Sequence, residues 1–399
     1  DWSSDVRSSD LQSYQITQWY PKPAVYDRAG WHAMPYLTQG EFYSEYGSYD
    51  VSITLPKNYI LGATGDCQTP SEVAFMDDQA AQSEVKLKQG MNNEFPASSS
   101  EWKTVRYTQN NVHDFGWFAD KRWIVTKGEV TTPREGRKVT TWALFTPLGA
   151  DVWVKGNEYL HDAIYYYSLW NGDYPYNQVT AVDGTISAGG GMEYPNVTVI
   201  GTSNTPRMLE TVIMHEVGHN WFYGILGSNE RDNAWMDEGL NSFNEDRYMD
   251  TKYPNAKLGA AIGAEGLDNR FRTKDFSQRS LSELSYFLSA ATNVDQPLQM
   301  NSDNFTGLNY GGIVYKKTAI LFYYLKGYLG ESLFDECMHT YYNEWKFKHP
   351  SPEDIEDVFE RVSKQNLNWF FHDLIRTTKK IDFEIARVKK SGTGYQVKV

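Results

Sequence analysis

Apolar and polar positions alternate in short runs through the first third of the chain. Residues 50–56, 102–108, 122–126 and 138–145 each repeat with period two, and clusters of Gly, Asn, Asp and Pro separate them. This pattern predicts a mostly β region over residues 1–147. It changes near Pro147-Leu-Gly-Ala150. Residues 151–172 place Val154, Tyr159 and Ile164 at helical spacing, and two short strands are expected at 178–182 and 196–201. Helical periodicity then dominates, over 206–224, 232–245, 256–267, 310–328, 332–347, 352–365 and 369–377. The last segments flank Ser391-Gly-Thr-Gly394 as a β-hairpin. A lone hairpin is marginal, so residues 379–399 are expected to open a further domain. The division expected is therefore 1–147, 148–378 and 379–399.

One predicted helix carries chemistry. Residues 206–224 begin after Asn204 and Thr205, either of which can cap, with Pro206 at the first helical position and Gly224 as the expected end. Leu209, Val212, Ile213 and Val217 form its apolar stripe. Within it lies His215-Glu216-Val217-Gly218-His219. Histidines four apart leave the same face of a helix and can grip one ion, while Glu216 can reach a water on that ion. Eighteen residues intervene between His219 and Glu238, which lies on the next predicted helix. Two packed helices joined by a short connection can bring it to the open side of the pair. Two His and one Glu leave the fourth zinc position for water. Such histidines need partners for their other N–H, and Glu245 and Asp237 are both available, with no choice between them at this level.

Composition narrows the alternatives. The formal net charge is −13 and no run of Lys and Arg appears, which excludes a nucleic-acid-binding face of the usual kind. No apolar run reaches membrane-spanning length. The 13 Trp, 28 Tyr and 19 Phe suit sheet cores and well-filled interfaces. Cys67 and Cys337 are far apart and are expected as free thiols, so they do not fix a compartment. The chain begins at Asp1 and not Met, as a processed or excised protein would.

Further residues carry a resemblance. Gly190-Gly191-Met192-Glu193-Tyr194, the His215–His219 motif with Trp221-Phe222, Trp235-Met-Asp-Glu-Gly239 and a later helical Tyr315 together resemble the M1 aminopeptidases. That family implies an α+β multidomain fold, an N-terminal β-sheet domain followed by a thermolysin-like, mostly helical zinc-peptidase domain. It implies one Zn2+ per chain on His215, His219 and Glu238, with Glu216 as general base and Tyr315 stabilising the oxyanion. It implies that Glu193 binds the α-amine of a peptide with a free N-terminus, and that Gln18 stands at the first side-chain pocket. Tyr194 departs from the Asn usual in the family's strand motif. The run Gly189-Gly190-Gly191 lets a substrate backbone approach closely, although read alone it is a plain turn.

Three functions fit these residues. The first is a zinc aminopeptidase. The second is a zinc endopeptidase or other zinc hydrolase with the same ligands. The third is a peptide-binding relic without turnover, against which the intact Glu216 argues, since a relic has no need of a base. Preferred N-terminal residue, oligomeric state, compartment and physiological substrate leave no mark in the sequence.

Overall fold

The computed structural model describes residues 13–89, 93–184, 186, 190–256 and 279–398. The N-terminal region is built from small antiparallel sheets. Strands β1 (Ser13–Ile16), β2 (Val25–Asp27), β3 (Gly30–His32), β4 (Gly47–Pro56), β5 (Ile60–Ala63) and β6 (Asp66–Cys67) precede helix α1 (Pro70–Gln89), and β7 (Trp102–Val112) and β8 (Trp117–Asp120) follow it. They pair in the orders β4-β7-β6 and β1-β8-β5, with β2 and β3 as a separate hairpin. The inward positions of β4 and β7, Ile53, Leu55 and Val105, meet Leu61 and Ala119 in one apolar core. That is the period-two alternation expressed as packing.

Helix α1 falls inside the region expected to be mostly β. Its apolar stripe is weak, and polar groups hold it down. The Glu72 carboxylate accepts from Lys103 Nζ at 2.7 Å, and the buried Ser83 hydroxyl donates to the Val125 carbonyl.

A second sheet organises the rest. Strands β9 (Ile124–Thr131), β10 (Lys138–Phe145), β11 (Gln178–Asp183), β12 (Gly191–Tyr194) and β13 (Val197–Ile200) stand in the order β12-β13-β11-β10-β9. Strands β10, β11 and β13 run parallel, while β9 and β12 close the two edges antiparallel. Strands β11 and β13 are almost wholly buried, as parallel strands covered on both faces must be. Helices α2 (Ala150–Trp153) and α3 (Gly156–Trp170) lie between β10 and β11 in sequence, and α4 (Pro206–Gly218) follows β13. Leu160, Ile164, Leu209 and Ile213 of α3 and α4 pack with Val139, Ala143 and Val179 on one face. Met76 of α1 and Phe118 pack with Val125, Leu144 and Val182 on the other. The sheet draws strands from both sides of residue 147, so its pairing crosses the expected boundary there.

Beyond α4 the chain is helical: α5 (Glu230–Asn233), α6 (Glu238–Lys252), α7 (Arg279–Ala291), a π-helical stretch over Tyr310–Lys317 that runs into α8 (Thr318–Leu329), α9 (Glu331–Trp345), α10 (Pro352–Ser363) and a second π-helical stretch over Trp369–Ile375. The helix expected over 256–267 lies, past Ala256, outside the described residues. The terminal hairpin is present as β14 (Arg387–Ser391) and β15 (Gly394–Lys398), exposed along its length. Cys67 and Cys337 are free. No helix among the described residues is long and apolar enough to cross a membrane.

Candidate active site

The site begins with the end of α4. Thr205 caps its start, accepting from the Met208 N–H, with Pro206 in the first turn. The helix stops at Gly218, six residues before the expected Gly224. Trp221 is pulled into the core, where its indole N–H donates to the Gly172 carbonyl at 2.7 Å, and the chain leaves the helix axis to let it in. Gly224 closes the resulting turn, its N–H donating to the His219 carbonyl at 2.9 Å. His215 and His219 therefore stand on the last helical turn and its cap.

Helix α6 faces them. Gly218 has no Cβ for a reason of packing: one built there would lie 2.0 Å from Asn241 Oδ1 and 2.3 Å from the Tyr167 hydroxyl. That close approach lets Asn241 Nδ2 donate to the His215 carbonyl at 2.7 Å, while Tyr167 donates to Asn241 Oδ1 at 2.6 Å. Glu238, the first residue of α6, is thereby set over the histidines.

The ligand atoms converge. His215 Nε2 and His219 Nε2 are 3.1 Å apart, and Glu238 Oε2 is 3.1 Å from the first and 3.3 Å from the second. The other nitrogen of each ring is engaged: His215 Nδ1 with Glu245 Oε2 at 3.0 Å, and His219 Nδ1 with Asp237 Oδ1 at 2.6 Å. Both candidate partners are used, one for each histidine. Carboxylates accept, so each Nδ1 carries a proton, and each Nε2 would offer a lone pair to a bound metal. Three acceptor atoms converge in this way only around positive charge. The electrostatics register that demand. Burial pushes the His215 imidazole down, yet its bonds to Glu238 and Glu245 lift it to about 10. Burial pushes Glu238 up, yet His219 and His215 hold it far below the usual carboxylate range. With a metal ion in place of the proton that the high His215 value implies, two imidazoles and a carboxylate, each braced from behind, are a donor set that fits zinc.

Glu216 points into the same cavity without joining the cluster. Burial lifts its carboxyl to about 7, against the pull of both imidazoles. Strand β12, at the sheet edge, forms the opposite wall. A Cβ on Gly191 would lie 2.3–2.4 Å from the Glu216 carboxylate and its Cγ, so the bare backbone is what gives Glu216 room. Gly190 lines the cavity beside it, and Gly189 lies outside the described residues. Glu193 enters from β12, and burial raises its carboxyl well above the ordinary range. Tyr194, its neighbour on the strand, packs away from the cavity against Phe42 and Phe118. Tyr315 comes from the first π-helical stretch, stacks on His215, and donates its hydroxyl to Glu238 Oε1. The cavity measures about 280 Å³ and gathers Glu193, His215, Glu216, His219, Glu238 and Tyr315.

Gln18 stands apart from these. Its side chain, on a left-handed backbone with φ of 51°, donates to Asp114 at 3.3 Å and lines an adjacent cavity of about 450 Å³. One residue that sequence reasoning passed over, Glu41, lines both cavities. No motif surrounds it, and only the fold brings it here.

Residues 160–374, more than half of the chain, match the Peptidase family M1 domain. The chain belongs to peptidase family M1. Its relatives in that family include Aminopeptidase 2 of Candida albicans, 23% identical over 242 residues that cover 57% of this chain and 24% of the relative. Leucine aminopeptidase 2-1 of Meyerozyma guilliermondii is 25% identical over 203 residues, covering 49% and 29%. The chain thus spans about a quarter of the length of these curated relatives. Among solved structures, an M1 zinc metallopeptidase from Deinococcus radiodurans superposes with a TM-score of 0.60 at 15% identity, over 86% of this chain and 67% of that one. The M1 fold, mixed α+β with an N-terminal β-sheet region ahead of a helical domain, is the fold found here.

Proposed function

We propose that this M1 chain is a zinc-dependent aminopeptidase, hydrolysing the first peptide bond of peptides with a free N-terminus. The observation that carries the reading is the convergence of His215, His219 and Glu238, with Glu216 and Glu193 on the same cavity. His215, His219 and Glu238 would hold one Zn2+. When bound, zinc supplies Lewis acidity, polarising a carbonyl and making water acidic enough to attack near neutrality.

The chain's own groups do the rest. Glu216 takes a proton from the attacking water and delivers it to the leaving amine. Burial favours the protonated form of Glu216, which suits a group that must both take and return a proton. Tyr315 offers a hydroxyl where negative charge develops on the former carbonyl oxygen. Glu193 meets the substrate's ammonium, a charge-assisted contact in a buried place, where leaving either partner unpaired is costly. Gly190 and Gly191 keep the wall thin beside the base. Gln18 faces the space into which the first side chain projects. We take the catalytic unit to follow the N-terminal strands.

Support comes also from a solved complex of a Deinococcus radiodurans M1 zinc metallopeptidase variant with a Tyr-Ser-Ala substrate, a peptide of the kind proposed. The test compares aminoacyl chromogenic substrates with their N-acetylated forms on zinc-loaded protein. Free-amine substrates should be cleaved and acetylated ones should not, and Glu193→Gln should weaken use of the former. Efficient cleavage of blocked peptides at internal bonds would favour the endopeptidase reading and remove Glu193 from its role.

A further inference from the structure

We propose that Glu41 determines which first side chain is accepted, favouring a cationic one, lysine or arginine, that reaches from the metal cavity into the adjacent 450 Å³ cavity. The inference rests on the aminopeptidase reading for its setting, and on the geometry of Glu41 for its content.

The first ground is position. Glu41 is the residue common to the linings of the two cavities. A substrate whose amine meets Glu193 and whose scissile bond lies at the metal site must send its first side chain toward open space, and the larger cavity provides it. At 450 Å³ it is within the range of pockets that hold small ligands.

The second ground is rigidity. The residues on either side of Glu41 are fixed by the catalytic region. The Gly40 N–H donates to the Tyr310 hydroxyl at 3.0 Å, and the Phe42 N–H donates to Glu230 Oε2 at 2.8 Å. Gly40 has a φ of +66°, and a Cβ there would lie 2.6 Å from Ser302 Oγ and 2.9 Å from Arg231 Cα. Phe42 is buried against Tyr223 and Tyr194. A loop residue held so firmly at both neighbours presents its side chain at a defined place, as a recognition residue must.

The third ground is charge. Burial lifts the Glu41 carboxyl to about 7, the acids Glu238 and Asp237 push it the same way, and a hydrogen bond with Glu230 opposes them. The bases on the wall of the larger cavity are already matched: Lys22 with Asp114 at 2.6 Å and His32 with Asp27 at 2.8 Å. Among the described residues neither Glu41 nor Glu230 is paired with a cationic side chain, so the junction offers acids to an incoming cation. A guanidinium or ammonium arriving there gains a charge-assisted bond, a neutral side chain gains none, and an acidic one is repelled.

The experiment uses the zinc-loaded full chain and fluorogenic amides of arginine, lysine, citrulline, leucine and glutamate. Citrulline has nearly the shape of arginine without its charge, so the wild-type protein tests the idea before any substitution. Arginyl over citrullyl kcat/KM should be about tenfold or more, and Glu41→Gln should collapse that ratio toward one. Equal use of arginyl and citrullyl amides by the wild type would overturn the proposal. So would a Glu41→Gln protein in which every substrate falls by one common factor, because that is the signature of a contact to the shared amine. Glu41→Asp should keep the sign of the preference, which guards against a folding artefact in the Gln variant. Binding of argininamide and citrullinamide, measured by calorimetry, separates the two readings. If no free-amine substrate turns over, the aminopeptidase reading fails, while a Glu41-dependent preference for argininamide sustains the present one. Turnover without the preference does the reverse.

Discussion

Replacing Gly191 by Ala tests the catalytic geometry at a position that touches no metal ligand. The added methyl would sit 2.3 Å from Glu216 Oε1 and 2.4 Å from its Cδ and Cγ. Ordinary contact begins near 3.4 Å, so about 1 Å of separation is lacking. The strand cannot supply it cheaply, because Gly191 is paired to Ile200 at the sheet edge. The carboxylate must therefore turn away. A displacement of about 1 Å in a reacting group can cost 10²-fold in rate. The expected result is a kcat lowered about a hundredfold, with KM changed little, since Glu193, the proposed ammonium partner, and the proposed ligands are untouched. Three assays decide it: zinc content by elemental analysis, the split between kcat and KM, and the melting temperature. A Gly191→Ala protein with full zinc, a native melting temperature and wild-type kcat would refute the view that Glu216 acts from the position it holds here. Loss of zinc would show instead that the methyl is accommodated at the expense of the ligand cluster.

Glu216→Gln should retain zinc and lose turnover by about 10²–10⁴, and a zinc-loaded variant that turns over normally would dismiss Glu216 as the base. Tyr315→Phe should lower kcat by about 10²–10³ while leaving zinc in place, whereas an effect on melting alone would make Tyr315 a packing residue. Lys317 is fully buried, and burial pushes its ammonium down to about 8 although Asp295 opposes the shift. Because the folded value lies below the unfolded one, the folded state carries a penalty below pH 8 that fades as pH rises toward about 10.5, a cost of at most about 3 kcal/mol. Lys317→Met should therefore melt higher than wild type at pH 7, and the difference should shrink by pH 9.5; a gap independent of pH would contradict the sign.

Much of the site was legible because its parts are local. His215, Glu216 and His219 share one helical turn, and spacing alone puts the two imidazoles on one face. Glu238 follows closely enough that two packed helices with a short connection can return it. The strands at 102–108 and 138–145 were legible for the same reason, since their alternation is complete within a few residues. What escaped was set by distant partners. Helix α1 is docked by Glu72 to Lys103 and by Ser83 to the Val125 carbonyl, contacts that leave no apolar period. The end of α4 is dictated by the place where Trp221 finds its acceptor, Gly172, 49 residues earlier. The π-helical stretch that presents Tyr315 looks like any helix in sequence. Glu41 approaches the site only because Glu230 and Tyr310, far along the chain, hold its neighbours. Glu193 and Tyr315 were reached through family likeness, and each lines the cavity.

The bond from Asn241 to the His215 carbonyl has a kinetic meaning. It ties the last turn of one helix that carries candidate ligands to the first turns of the other, and both helices run through the largest apolar cluster among the described residues. The two helices cannot move apart unless that cluster opens. An ion released by their separation leaves only as the core opens. Stripping of the holoprotein by a chelator under native conditions becomes a clock for that opening. Its rate should level off as chelator concentration rises, at the opening rate reported by the slowest amide hydrogens of α4 and α6.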